Sequence, residues 1–460
     1  MNIKNITLQG ANIALSIIKG VICLKLLVTL GDYNYAFISQ FLVISAFLAQ
    51  VMFLNYDAPM VSSIISGQSE GDINGALNIM LILFIIIAIF IILPNKVYYS
   101  ELVWNDSSLH NFIKYVVIYT FIQAVSLRLL LVFQYKKKLD LYARYKIYQS
   151  LCQLLAIFIG VVFSNKHVIL ALLVMLEMSL ILSTLAKVNY RRFLFFNKRS
   201  IQWLKDNIKI AFSLLFMTFV IWIINNSGRF IIVSKFDLNI LAVYASSFST
   251  LIIISSIINP LVALIFPYIS TDRHKFTIIG IGVVSFITFS MTFFMVIFGL
   301  DILKFFAKEE LYAGKLFFIY ICIGINLYGI TRIMVLYNVV SSNAKKSIFA
   351  FFSGAIALLI TSYLFIDHYG VVSIAFSYLM ANLVVFVFYV NQVYSVVKES
   401  KLVSIVMFVF IYFIAVVLLL LCYFIADYSL FDRVILYGGL LLLLIASFSA
   451  VYRKLLWEKA

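Results

Sequence analysis

Runs of about twenty apolar residues recur from one end of this chain to the other. Twenty residues at 1.5 Å rise span the ~30 Å hydrocarbon core of a bilayer. Of the 460 residues, 64% are hydrophobic and 12% charged, against roughly 45–50% and 25% in a soluble domain. Length here therefore counts helices rather than soluble domains. The runs are too long for the roughly ten-residue alternating strands of an outer-membrane barrel. A lipid-exposed backbone must also satisfy its own hydrogen bonds. The expected fold class is an all-α integral membrane protein.

About fourteen spans are predicted, near 9–30, 36–58, 77–93, 112–133, 147–163, 168–186, 210–233, 240–266, 278–299, 312–340, 348–366, 371–397, 404–425 and 433–452. The first run is too long for a signal-peptide core and no small-residue cleavage site follows it, so it is expected to persist as a helix. With the amino terminus in the cytoplasm, 22 of the 35 Lys and Arg fall on the cytoplasmic side. Six fall opposite: Lys96, Lys166, Lys235, Lys304, Lys308 and Arg433. This obeys the positive-inside rule and places both termini in the cytoplasm. The net charge of +16 is thereby explained by topology and by contact with anionic lipid heads, not by nucleic acid.

The basic, aromatic stretch near 187–209, which holds Trp203, is predicted to lie along the membrane surface. It divides the chain into an N-terminal six-helix lobe at 1–190, an amphipathic linker at 191–209 and a C-terminal six-helix lobe at 210–397. A further two-helix hairpin at 398–460 has almost no internal polar residues and is expected to pack outside the bundle or contact lipid. The lobes echo one another. Lys25 precedes Asp32-Tyr33-Asn34, and Arg229 precedes Asp237-Leu238-Asn239. Asp57 and Pro59 end the next helix in one part, and Asn259, Pro260 and Pro267 in the other. Duplicated halves with substrate held between them are a recurring transporter plan.

No catalytic constellation is visible, and there is no GxxxxGK[ST] phosphate loop. The four cysteines, Cys23, Cys152, Cys322 and Cys422, form no metal spacing and no disulfide framework, and the four histidines stand singly in loops. These features point to a gradient-driven carrier rather than an enzyme, with no metal and no cofactor. Coupling to H+ or Na+ is left open.

Seven cations fall inside predicted spans: Lys19, Lys25, Lys114, Arg128, Arg229, Lys315 and Arg332. A cation at the bilayer centre costs roughly 2.5–3.5 kcal/mol on insertion scales, and chains tolerate it best where it faces a hydrated cavity. Only Asp57 and Glu177 are internal acids, so an anionic ligand is favoured over a cationic one. In the first helix Gln9, Asn12, Ser16, Lys19 and Cys23 share one face. Lys19 sits too deep to reach either interface easily. It either faces the cavity or pairs with Glu177 in the sixth span. Lys25 either lines the cavity or snorkels outward. In the seventh span Thr218, Trp222, Asn225 and Arg229 share a face, with Asn226 adjacent. Asn and Arg suit phosphate or sugar oxygens. Trp222 offers a stacking surface for a sugar or simple packing, and Arg229 binds or snorkels. Arg128 and Arg332 lie in the inner thirds of their helices and would widen the positive field, whereas Lys114 and Lys315 are expected to snorkel. Pro260 bends the eighth helix as a hinge or a static kink.

The segments "LVTLGDYNYAFI", "NNSGRFIIVSKFDLNILAVYASSFS" and "FPYIS" resemble motifs of the Wzx-type O-antigen flippases of the multidrug/oligosaccharidyl-lipid/polysaccharide exporter superfamily. Leu30-Gly31, Tyr35, Arg229, Phe230, Leu241, Tyr244, Phe266 and Pro267 fit the family pattern, while Gly228 stands where an acid is usual, and Ala36 and Ala242 replace glycines. Lys19 and Lys25 are similar to a basic pair in the first helix of the fourteen-helix lipid II flippases. The resemblance implies a two-lobed bundle working by alternating access in the bacterial inner membrane. It implies a polyprenyl-diphosphate-linked oligosaccharide, such as a lipopolysaccharide O-antigen repeat unit, moved from the cytoplasmic to the periplasmic leaflet. Association with polysaccharide polymerase machinery fits that role. Lys19, Lys25, Arg128, Asn225, Asn226, Arg229 and Arg332 are the expected substrate contacts, with Glu177 a coupling or ion-pairing group. A multidrug or small-metabolite antiporter of the same superfamily is the alternative. A membrane polysaccharide polymerase ranks lower, because no outward loop exceeds about 17 residues.

Overall fold

A computed structural model describes residues 3–53, 56, 70–135, 138–187, 198–269, 272–340, 344–399 and 429–457. Their regular structure is helical throughout. The N-terminal part comprises α1 (Ile3–Val28), α2 (Asp32–Met52), α3 (Glu70–Ile87, extended by a π-turn at Ala88–Ile92) and α4 (Lys96–Trp104). It continues with a 3-10 turn at Ser107–Phe112, α5 (Ile113–Tyr135), α6 (Leu139–Val162) and α7 (Lys166–Lys187). Beyond these come α8 (Lys198–Lys235), α9 (Leu238–Ile269), α10 (Arg273–Phe306), α11 (Lys315–Val340), α12 (Ala344–Tyr369), α13 (Val371–Glu399) and α14 (Leu430–Trp457).

Among the described residues ten helical segments are long and apolar enough to cross a membrane, and the chain is a multi-pass membrane protein. Helices α1 and α14 run where spans were expected at 9–30 and 433–452. The span expected at 404–425, and the landmarks Asp57 and Pro59, lie outside the described residues. Helix α9 runs through position 260 without a break.

Two local details differ from the simplest reading. The stretch near 94–110 folds into α4 and the 3-10 turn because Trp104 anchors it: the ring stacks on Phe37 at 4.9 Å, and its indole N–H donates to the Phe37 carbonyl at 3.4 Å. Residues 198–209 continue directly into the next span as one helix, α8, which no proline interrupts. Trp203 on this helix is buried beside Tyr56, with ring centroids 5.5 Å apart. The Tyr56 hydroxyl donates to the Leu204 carbonyl at 2.9 Å.

The chain divides into two compact units, one made of Met1–Trp222 and Arg229–Ala242, the other of Ile223–Gly228 and Val243–Ala460. In the first, α6 packs against α1 and α7, and α5 against α2 and α7. In the second, α13 packs against α11 and α12, α10 against α11, and α14 against α10. The α14 contact includes an ion pair between Arg433 and Asp301 at 2.5 Å and the Tyr437 ring against Phe294 and Phe298.

A common connection recurs within each unit. In the first, α2 is pinned to the chain that follows α3, through Gln40 to the Val103 carbonyl at 3.4 Å and Trp104 to Phe37. In the second, α9 is pinned to the chain that follows α10, through Ser246 and Ser247 to the Leu311 carbonyl at 2.8 and 3.0 Å. The entry to α2 is made by Gly31, whose φ of 95° lies where side chains other than glycine are strained. Asp237 caps α9 by accepting the Ile240 N–H at 2.9 Å.

Candidate functional site

The polar centre of the first unit is Glu177 on α7, only 1% exposed among apolar helices. A buried carboxylate is tolerated when its oxygens are fully hydrogen-bonded. Here Oε1 accepts from the Tyr119 hydroxyl and from Gln153 Nε2, both at 2.6 Å. Oε2 accepts from Gln123 Nε2 at 2.7 Å and Gln149 Nε2 at 3.3 Å. Tyr119 and Gln123 are one turn apart on α5, and Gln149 and Gln153 one turn apart on α6, so each helix aims two donors at the same carboxylate.

Both α6 glutamines also hold a lysine. The Lys19 ammonium on α1 donates to Gln153 Oε1 at 2.8 Å. The Lys146 ammonium on α6 donates to Gln149 Oε1 at 3.4 Å. Each amide thus turns its carbonyl to an ammonium and its NH2 to the carboxylate. Reversing either would set an N–H against an ammonium and an oxygen against the carboxylate, so the charges on both sides fix the orientation. Lys19 and Lys146 are half-buried, and their ammonium groups are close enough to interact electrostatically. The cluster holds two cations and one anion. Among the described residues no direct ion pair joins Lys19 to Glu177; the expected partnership runs through Gln153.

The other cations expected to contact substrate are placed differently. Arg128 on α5 is 4% exposed and reaches α3, donating to Asn78 Oδ1 at 2.6 Å and to Asn74 Oδ1 and carbonyl at 3.1 and 3.2 Å. It borders an apolar cavity of about 230 Å³ lined in part by Leu81, Val125, Leu129 and Met178. Arg229 on α8 is 4% exposed and donates to the Ser39 hydroxyl on α2 at 2.8 Å. Lys25, in the last turn of α1, is exposed. In the second unit the Arg332 guanidinium lies over the Tyr328 ring, 5.9 Å from its centroid. Asn225 and Asn226 are half-buried on α8. Trp222 stacks on Phe47 with centroids 3.9 Å apart, a packing contact of its aromatic face. The structure therefore joins Lys19 and Glu177 in one network and leaves Arg128 and Arg229 in separate interhelical contacts.

Sequence reasoning missed Tyr119, Gln123, Lys146, Gln149 and Gln153. Lys146 falls just before the span expected at 147–163, but α6 begins at Leu139, so Lys146 lies on the helix. The available signal was its i, i+3, i+7 spacing with Gln149 and Gln153, the same pattern that marked the polar face of α1.

At one end of the first unit the Lys166 ammonium stands over the Tyr33, Phe37 and Phe112 rings, 5.0–5.3 Å from their centroids. Asp106 caps the adjoining 3-10 turn, accepting from the Ser108 N–H at 2.9 Å and from the Tyr33 hydroxyl at 2.8 Å. These bonds, Ser108 foremost, hold its carboxyl below the usual carboxylate range against the opposing effect of burial.

No family profile and no curated protein sequence matches the chain. Solved structures do. The lipid II flippase MurJ in an inward closed conformation superposes with a TM-score of 0.67, covering 99% of this chain and 100% of that one at 15% identity. An inward-facing multidrug resistance MATE transporter of the MOP superfamily gives 0.60, with 85% and 96% covered at 14% identity. A MOP superfamily transporter from Pyrococcus furiosus gives 0.56, with 84% and 93% covered at 12% identity. The chain is an all-helical membrane protein with the fold that these flippase and MATE structures display.

Proposed function

We propose that this protein is a flippase for a polyprenyl-diphosphate-linked oligosaccharide, carrying it from the cytoplasmic to the periplasmic leaflet by alternating access. The observation that carries this reading is the Lys19 contact. An ammonium in the middle of a membrane helix is held by a neutral amide carbonyl, with a second lysine in the same network and one carboxylate between them. Such a centre retains a positive charge for an anionic head group. A cationic drug would meet repulsion there, which weighs against the antiporter reading that the MATE likeness keeps in view. The MurJ likeness over the whole chain supports a lipid-linked substrate. An inside-negative potential of 100 mV favours outward movement by about 2.3 kcal/mol per negative charge.

Glu177 is a poor sodium ligand in this arrangement. A carboxylate offers about four lone-pair sites, and four donors occupy them. Coupling through Glu177, where it exists, is to a proton that displaces a donor.

The test is surface polysaccharide display in cells whose only copy carries Lys19→Ala or Lys19→Arg. Display should fall sharply in the first, with lipid-linked repeat units retained on the cytoplasmic side, and persist largely in the second. Undiminished display in Lys19→Ala, or altered drug sensitivity with display intact, would reject the flippase reading.

A further inference from the structure

We infer that Lys146 is a second ligand-binding ammonium of the Lys19 site, and that Glu177, acting through Gln149 and Gln153, positions the two for a ligand with two linked phosphoryl groups. The inference rests on the anionic-head reading above and extends it to a residue and a stoichiometry.

Three features of the geometry carry it. First, the network is two-armed. Lys19 is bound to Gln153 and Lys146 to Gln149, and both amides hand their NH2 groups to the two oxygens of Glu177. The two carbonyl anchors are one turn apart on α6, about 6 Å along its axis, which matches the scale of adjoining phosphoryl groups with their oxygens. Second, accessibility is graded. Glu177 is 1% exposed and cannot meet a ligand, whereas both lysines are half-buried and can. Third, each ammonium has three N–H donors, and among the described residues each spends one on its glutamine. Two remain on each for phosphoryl oxygens. A single carboxylate cannot neutralise both lysines, so the cluster keeps a net positive charge for an anionic ligand.

The arms are unequal. The Lys19 arm has hydrogen bonds of 2.8 and 2.6 Å, and the Lys146 arm 3.4 and 3.3 Å. Lys146 therefore has the longer, weaker anchor of the two. The competing account is that Lys146 merely extends toward the cytoplasmic interface and binds nothing.

The experiment is calorimetric titration of the full-length protein in detergent with inorganic pyrophosphate and, separately, inorganic phosphate. The wild type should prefer pyrophosphate. Lys146→Ala should weaken pyrophosphate binding about tenfold while leaving phosphate binding nearly unchanged, and Lys146→Arg should restore most of it. Glu177→Gln should reduce the preference for pyrophosphate over phosphate, which a purely structural role would not touch. Thermal unfolding of each variant separates loss of fold from loss of binding. If Lys19→Ala weakens pyrophosphate binding and Lys146→Ala does not, the second-ammonium inference is overturned and the flippase reading stands. If neither variant weakens it, both fall.

Discussion

The Lys19 ammonium donates a 2.8 Å hydrogen bond to the side-chain carbonyl of Gln153, 134 residues away in the chain, rather than to a carboxylate. A direct ion pair would discharge the lysine. A neutral acceptor orients it and leaves its charge available. Gln153 in turn passes its NH2 to Glu177 at 2.6 Å, so the acid shapes the site without occupying it.

Gln153→Leu should therefore separate orientation from charge. The substitution removes one acceptor from Lys19 and one donor from Glu177, and each buried group so deprived costs about 1–3 kcal/mol. We expect a lower unfolding temperature in detergent and a loss of transport comparable to that of Lys19→Ala. Transport at the wild-type level would show that Lys19 needs no orienting partner.

Glu177→Gln keeps the shape of the side chain but removes the charge that four donors address. The new NH2 group faces donors rather than acceptors. Destabilisation of about 1–3 kcal/mol is expected, read as a shift in thermal unfolding, together with reduced transport. Replacing external Na+ by an organic cation should leave wild-type transport unchanged, because the carboxylate oxygens are already filled.

Arg128 ties α5 to α3 through two asparagines. Lys in its place offers a point charge instead of a planar fork. Arg128→Lys should lower the yield of folded protein more than it lowers transport per folded molecule, measured by fluorescence-detected size exclusion alongside a transport assay. The reverse ordering would give Arg128 a direct part in binding.

Gly228 on α8 is closely packed. A Cβ there would collide with the Ile374 side chain and come within 2.9 Å of the Tyr244 hydroxyl. Gly228→Asp should destabilise by about 1–3 kcal/mol or more through overpacking. Adding Ile374→Ala should recover part of the loss in unfolding temperature. No recovery would place the strain elsewhere.

Asp106 supplies a pH-dependent contribution. Its folded pKa lies below the usual carboxylate value because Ser108, and then Tyr33 and Lys166, favour the charged form. The stabilisation is therefore complete above the unfolded value of about 4 and disappears as pH falls through the lower folded value. Thermal unfolding between pH 3 and 7 should show this acid-side loss in the wild type and a shallower one in Asp106→Asn. Identical profiles would remove Asp106 from the acid response.

Local chemistry determined the helices. Twenty-residue apolar runs can satisfy their backbone in lipid only as helices, so the all-helical architecture and most spans were legible from hydropathy alone. The deep placement of Lys19 and Glu177 was legible too, because the cost of burying charge makes such residues conspicuous; whether Lys19 faced a cavity or paired with Glu177 was not. The intermediary was not. Gln149 and Gln153 carry no charge, and Lys146 falls just outside the apolar run at 147–163 although α6 begins at Leu139. Tertiary structure decided which cations share a network. Arg128 and Arg229 were expected to contact substrate together with Lys19, yet they hydrogen-bond to Asn74, Asn78 and Ser39. Hydrophobicity is a property of each segment and can be summed residue by residue. The destination of a buried hydrogen bond depends on which helix face lies opposite, and that is settled only when the helices pack.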